Sequence, residues 1–420
     1  TTDTERMHIY FMAAQSQISK SGEHKIDLDR AEMYMRKVAL LNKTVKSGDA
    51  DALQILLKSH LARERHQKTK GKALAERAVS LLQNAQNKYY LGTAYFSLSE
   101  YYHYGDPVES AEKRRLVELA VQAFHQAGYV EQEAYALKFL ADLYSLNDER
   151  AKALEKLDHS LQLYDSIQFL ALHAVYILYS HIHFTDGNYQ HALNYGLMAL
   201  KSALNVGDSS MSLCQINNYI GMTLDRLKES EKAIGYYLDA LKVAKNHNDN
   251  DAVLQLMANI VNSYIDLKKP EEALAFMEAL PKNLLDPKYD ESYIYAPLSY
   301  LTIYNELKDY SAVESYCHQI LQLIKIHRTS DKLLHNFYTL LVEFYVQTTQ
   351  YSLAHKFIGA IDSLSLRIGD PHRMQENYYL KFRLDTAQGH YKSATENLLK
   401  YQILSDSLFN ESTNKQIKQL

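Results

Sequence analysis

A chain of 420 residues exceeds the roughly 250–300 at which single hydrophobic cores stop growing, so several domains or a repeat array is expected. Hydrophobic residues at 46% and charged residues at 23% exclude intrinsic disorder, and 14 Gly with 6 Pro are too few for a loop-rich β protein. Lys plus Arg at 46 against Asp plus Glu at 50 leave a net charge of −4, which excludes a nucleic-acid interface built on basic charge.

The chain opens Thr1-Thr2-Asp3 with neither Met nor an apolar leader, which reads as an N terminus already processed or trimmed. Self-similarity then appears as a small or apolar residue beginning the second helix of each unit. Loosely spaced markers come first: Ala31, Gly71 and Leu116, 40 and 45 residues apart. Residues 1–130 are therefore read as irregular N-terminal hairpins of capping type, since terminal repeats are usually atypical. From residue 131 to 409 the spacing is regular. Ala153, Ala192, Ala233, Ala273, Val313, Ala354 and Ala394 follow one another at intervals of 39, 41, 40, 40, 41 and 40. Short turns precede most of these markers, as in Asp186-Gly187-Asn188-Tyr189, Lys308-Asp309-Tyr310 and Gly389-His390-Tyr391. The longest run without Asp, Glu, Lys or Arg, Ser166 to Thr185, carries three His and falls inside a repeat unit, so no transmembrane helix is expected.

The segment Asn218 to Ala244, with Gly221, Leu224, Ala233, Tyr237 and Ala240 at positions 8, 11, 20, 24 and 27 of a unit, closely resembles the tetratricopeptide repeat. That resemblance implies an all-α fold, a right-handed α-α superhelix of about ten helical hairpins. The period near 40, against the family's 34, implies about three extra residues per helix. Gly221 costs about 1 kcal/mol against Ala inside a helix, so the partner helix is expected to approach closely there. Ala141, Ser180 and Val261 take the same place, and Tyr144, Tyr264, Tyr304 and Tyr345 are expected to fill the space between successive hairpins.

Catalytic templates are empty: there is no Gly-rich phosphate loop, no GxSxG, no HExxH and no Cys/His dyad in a defined context. Cys214 and Cys317 lie two units apart, too far for a disulfide between elements that touch only their neighbours, and are expected to be buried free thiols. The 18 His show no metal-ligand spacing; His181 and His183, two apart, point to different sides of a helix. No metal and no cofactor is expected, and the segment is read as binding rather than catalysing.

In the family resembled, positions 2, 5, 6, 9, 12 and 13 of the first helix line a concave groove that takes extended peptides or partner helices. Carried over, they give Tyr135, Lys138, Asp142 and Ser145, then Ile177, His181 and Phe184, a mixed end. The centre is amide-rich: Gln215, Asn218, Met222, Asp225 and Arg226, then Gln255, Asn259, Asn262 and Asp266, then Tyr295, Ser299, Thr302 and Asn305. Beyond it come Asn336, Thr339, Glu343 and Gln347, followed by Glu376, Tyr379 and Arg383. Amide side chains carry donors and acceptors and so can pair with a peptide backbone irrespective of its sequence. The Lys/Asn/Lys/Arg carboxylate clamp of chaperone-binding members is not reproduced.

The tail from Tyr401, LSDSLFNE followed by NKQIKQL, resembles the segment joining periplasmic tetratricopeptide sensor regions to a coiled linker in sensor histidine kinases of Bacteroidetes type. Leu404, Leu408, Ile417 and Leu420 sit at helical or near-heptad spacing, so residues 410–420 read as the start of a helical linker. The resemblance implies a periplasmic input domain of a two-component receptor whose membrane helix, kinase parts and possible homodimer contacts would lie past Leu420. A peptide, a glycan breakdown product or a partner protein would be the ligand. The alternative is a cytosolic regulator of the Rap type that binds a signalling peptide or a partner protein, its N-terminal bundle represented by the irregular units, or a passive scaffold.

Overall fold

The computed structural model describes residues 2–18, 25–45, 48–84, 87–281, 294–327 and 329–418, with side chains omitted for 44, 45, 48 and 408–418. Twenty α-helices and no strand are present among the described residues. The chain divides into two compact units, 1–179 and 180–420.

In the first unit, α1 (Asp3–Ile18) pairs with α2 (Lys25–Val45), α3 (Gly48–Glu64) with α4 (Lys68–Leu82), α5 (Lys88–Ser99) with α6 (Pro107–Ala127), and α7 (Val130–Leu146) with α8 (Arg150–Ser166). The helix α9 (His173–Thr185) runs across the division. Its C-terminal half packs in the second unit on α10 (Tyr189–Asn205), where Ser180 Oγ donates to the Ala192 carbonyl at 2.8 Å. Five more pairs follow: α11 (Met211–Arg226) with α12 (Ser230–Asn246), α13 (Asn250–Asp266) with the short α14 (Pro270–Glu278), α15 (Tyr295–Leu307) with α16 (Tyr310–Ile326), α17 (Asp331–Gln347) with α18 (Tyr351–Ile368), and α19 (Pro371–Ala387) with the 28-residue α20 (Tyr391–Lys418).

Every repeat marker lies on the second helix of its pair and is buried: Ala31, Ala153, Ala192, Ala233, Ala273, Val313 and Ala354 are fully sequestered, with Leu116 and Ala394 nearly so. Gly71 is buried as well. The turn before the marker has one geometry in eight of the ten pairs. Five residues ahead of the marker the backbone is left-handed, at His66, Asp148, Gly187, Lys228, Lys268, Lys308, Thr349 and Gly389. The next amide reaches back five residues, as Glu229 N to Leu224 O at 2.9 Å, the bond that closes a Schellman cap and satisfies an orphan carbonyl. The carbonyl of that same residue then accepts from the marker amide, as Ala233 N to Glu229 O at 3.0 Å, which starts the second helix. Six of these eight left-handed residues carry side chains, a conformation that costs roughly 1–2 kcal/mol outside glycine.

Helix starts follow the composition. Asp106 and Asp370 accept from amides of the first turn, and each precedes a proline at the first helical position, where no N–H is needed. Gly221 meets the expectation of close approach: a Cβ there would lie 2.5 Å from the ring of Tyr237 on α12. The tyrosines follow the expectation in part. Tyr304 stacks on Tyr316, Tyr345 on Phe357, and Tyr264 contacts Phe276, in each case within one hairpin. Two of them also reach the preceding pair as expected: the Tyr144 hydroxyl donates to Glu118 at 3.0 Å, and Tyr345 packs on the cluster that holds Cys317 and Ile320 of α16. Tyrosines one turn before the marker in the second helices add further bridges. Tyr310 donates to Gln347 Oε1 at 3.3 Å and Tyr351 to the Ala387 carbonyl at 3.2 Å, each tying its pair to the next.

Candidate functional site

The first helices of the second unit share one face, and on it lies a cavity of about 260 Å³. α13 supplies Ala258 and Asn262, α15 supplies Leu298, Ser299 and Thr302, α17 supplies Asn336, Thr339 and Leu340, and α19 supplies Glu376. A repeat of 40 residues brings the same register of four consecutive pairs together, as Asn262 with Thr302 and Asn336 with Glu376. Thus Asn262, Ser299, Thr302 and Asn336, separate in sequence, converge on one space. Its walls are neutral and polar, with aliphatic patches at Ala258, Leu298 and Leu340 and a single ionisable group, Glu376.

The polar groups differ in how far they are already engaged. Asn262 is exposed and has no hydrogen-bond partner among the described residues. The Thr339 hydroxyl is sequestered without a partner, whereas Thr302 donates to the Leu298 carbonyl one turn back at 3.0 Å. Asn336 accepts from Arg373 Nη1 at 2.7 Å, and the same guanidinium reaches His335 Nδ1 at 3.0 Å. That contact requires a neutral imidazole as acceptor, and burial followed by the Arg373 charge pushes the His335 pKa down to about 4. Glu376 faces water on its open side, yet desolvation by the surrounding walls raises its carboxyl pKa, against the pull of Arg373 and then Arg226.

Beside the cavity, the amide stripe forms rungs. Asn259 Nδ2 donates to Asn218 Oδ1 at 2.9 Å, which links α11 to α13 and leaves a donor on Asn218 and an acceptor on Asn259. Gln215 and Gln255 are exposed, as is Asp266, and Met222 is half-buried. Asp225 is occupied structurally: it accepts from Tyr237 Oη at 2.9 Å and from Ser263 Oγ at 2.9 Å, and desolvation raises its pKa. Glu343 accepts from Arg383 Nη1 at 2.9 Å, closing a bridge between α17 and α19. Tyr379 sets its ring 5.4 Å from Tyr401 on α20. His181 meets the ring of Tyr219 edge-on at 5.5 Å. Tyr295 is half-buried, and Asn305 is buried at the end of α15 with its Oδ1 unpartnered, away from the cavity. In the first unit, Tyr135 is 53% exposed with its ring 5.6 Å from Phe96, while Lys138 and Asp142 are half-buried.

Arg373 was not legible as a site residue, although it holds the Asn336 amide in place. Its signal was faint: a lone Arg in a first turn, 37 residues after the side chain it orients. Both cysteines are free and buried; burial pushes the thiol of Cys214 up to about 11 and that of Cys317 to about 12, so neither is a reactive thiolate at neutral pH. No group of three His, Cys, Asp or Glu is placed to hold a metal among the described residues, and none of the described helices is long and apolar enough to cross a membrane. The linker residues Leu408, Ile417 and Leu420 lie outside the described side chains, although the backbone of α20 is helical through Lys418.

No family model matches the sequence, and no curated protein does. Solved structures do. The chain is similar to the apo form of RapI, with TM-score 0.65 and 12% identity over 87% of this chain and 98% of that one. It is similar to the apo form of the quorum sensor NprR from B. thuringiensis, with TM-score 0.54 and 15% identity over 76% and 87% of the two chains. NprR in complex with its cognate peptide NprX gives TM-score 0.50 and 14% identity over 87% and 98%. The fold is therefore that of tetratricopeptide-like helical repeat proteins.

Proposed function

We propose that the second unit is a peptide-binding regulatory module, in which the face shared by α13, α15, α17 and α19 receives an extended segment. The convergence of Asn262, Thr302, Asn336 and Thr339 on one cavity carries this reading. Hydroxyl and amide groups with unused donors and acceptors match the alternating N–H and C=O of a backbone, and aliphatic patches between them take small side chains. Similarity of fold to NprR, whose cognate peptide is NprX, supports the same reading. A regulator of the Rap kind acting on a partner protein is thus favoured over a passive scaffold.

A second reading, a periplasmic input segment of a transmembrane sensor kinase, is supported by α20. It is 28 residues long against 17 for its partner α19, so its backbone continues well past the end of the hairpin.

The test is selection of a displayed random heptapeptide library on the whole chain. Enriched peptides are expected to lose about tenfold or more in affinity for Asn262→Leu and Asn336→Leu, since each removes a hydrogen-bonding side chain from the cavity. Failure to enrich any peptide, or affinity indifferent to both substitutions, would remove the basis of this reading.

A further inference from the structure

The first unit carries a larger cavity, about 500 Å³, that the peptide reading does not use. It lies among α2, α3 and α4. Its floor is apolar: Leu61 and Ala62 are 5% and 4% exposed, and Met35 and Leu74 stand half-buried beside them. Its rim is cationic. Arg36, Lys58, Arg65 and Lys70 border the opening, with Glu32 as the one carboxylate among the lining residues.

Glu32 is already engaged. Arg65 Nη2 donates to its Oε1 at 2.6 Å and Arg36 lies 3.8 Å from its Oε2. Lys58 and Lys70 have no carboxylate partner among the described residues. Two ammonium groups therefore stand uncompensated over an apolar floor in a cavity of the size that small-molecule sites occupy. A cavity of this size takes a small molecule, and the combination of charge and floor selects one with both an anionic head and a hydrocarbon body.

We propose that this cavity is a binding site for a free amphiphilic monoanion, a carboxylate whose apolar body lies on Leu61 and whose head sits between Lys58 and Lys70. Glu32, held by Arg36 and Arg65, sets the limit on charge: it leaves the rim cationic and repels a second acidic group on the ligand's far side. The site would give the N-terminal unit an input separate from the groove on the second unit.

Calorimetric titration of the whole chain with decanoate, decanol and decyltrimethylammonium tests it. Saturable binding of one decanoate is expected, with the alcohol and the cation about tenfold weaker or worse. The double variant Lys58→Glu, Lys70→Glu is expected to lose about tenfold or more in decanoate affinity, and Glu376→Gln in the other unit none. Both lysines are exposed, so the double variant should keep the wild-type unfolding midpoint. No saturable binding, equal binding of the three decyl compounds, or unchanged affinity in the double variant would overturn the assignment. So would capture of the protein by phosphatidylglycerol vesicles without binding of monomeric decanoate, which would point to a membrane surface instead.

Discussion

The two units solve the same packing problem differently. In the first, one continuous core runs from Met7 on α1 to Ala136 on α7, and polar groups are threaded through it: His60 Nε2 meets Ser97 Oγ at 2.5 Å, and Tyr101 donates to the Ser59 carbonyl at 2.7 Å. In the second, the interior breaks into successive clusters, around Met257 and Ile303, around Phe337 and Ile320, and around Ile361 and Leu384, each spanning adjacent pairs. Irregular spacing concentrates burial, whereas a strict period distributes it and leaves a repeated polar face. The cavities divide accordingly: a cationic, apolar-floored one in the first unit and a neutral, amide-lined one in the second.

The largest expected effect tests that contrast directly. Phe337→Ala, at a fully buried position, should cost about 3–5 kcal/mol, with loss of amide protection concentrated in α15 to α18. Leu57→Ala, equally buried, should cost about 2–5 kcal/mol but loosen α1 to α6 together. Hydrogen exchange read by mass spectrometry separates the two patterns; the same spread of lost protection in both variants would break the distinction between one core and a series.

Acid should strike both units, through one histidine each. Burial, then the charge of Arg63, pushes the His60 pKa down to about 3, and His335 is held at about 4. A folded-state pKa below 6.5 means that the unfolded chain binds the proton more tightly. The stabilisation is complete above about pH 6.5 and is lost as pH falls from there towards 4 for His335 and towards 3 for His60. The full loss is on the order of 5 kcal/mol for His60 and 3 kcal/mol for His335. Urea midpoints at pH 7 and pH 4.5, with NMR titration of the imidazoles, follow it; either ring titrating near 6.5 in the folded protein would contradict the assignment.

Smaller effects sharpen the comparison at the level of single turns. Gly221→Ala places a methyl 2.5 Å from a ring atom of Tyr237, which is itself fastened to Asp225, so a loss of about 1–3 kcal/mol in unfolding free energy is expected. Wild-type stability there would mean that the ring moves freely. At the left-handed turns the sign reverses: Lys228→Gly or Lys308→Gly should raise stability by about 0.5–1 kcal/mol, and a lower thermal midpoint would show that the lysine stems contribute packing of their own.

Much of this architecture was legible because the period is written in small residues. Gly221 and Ser180 announced close helix approach, and the same register explains Ser59, whose hydroxyl donates at 2.8 Å to the Gly71 carbonyl twelve residues on, as Ser180 does to Ala192. Gly187 and Gly389 marked two of the left-handed turns, but the other six were hidden, since Lys, Thr, His and Asp take the place where glycine would have signalled them. Groove positions could be assigned by register, but register does not say which side chains satisfy one another. Asn218 with Asn259, Asp225 with Tyr237, and Glu343 with Arg383 turned out to be internal pairs, while Asn262 and Thr339 kept their capacity. The cavity in the first unit left no periodic trace, because its rim is collected from three helices of unequal spacing.

The shared turn geometry also makes the protein divisible. Lys228 and Lys268 are 40 residues apart and hold the same left-handed conformation, each followed by an amide that reaches back five residues. Joining Lys228 directly to Lys269 would excise two helices, α12 and α13, and recreate the same cap at the seam between α11 and α14. The chain can therefore be shortened or lengthened in whole blocks, as beads are removed from a string without retying it, and the extent of its shared polar face becomes a countable quantity.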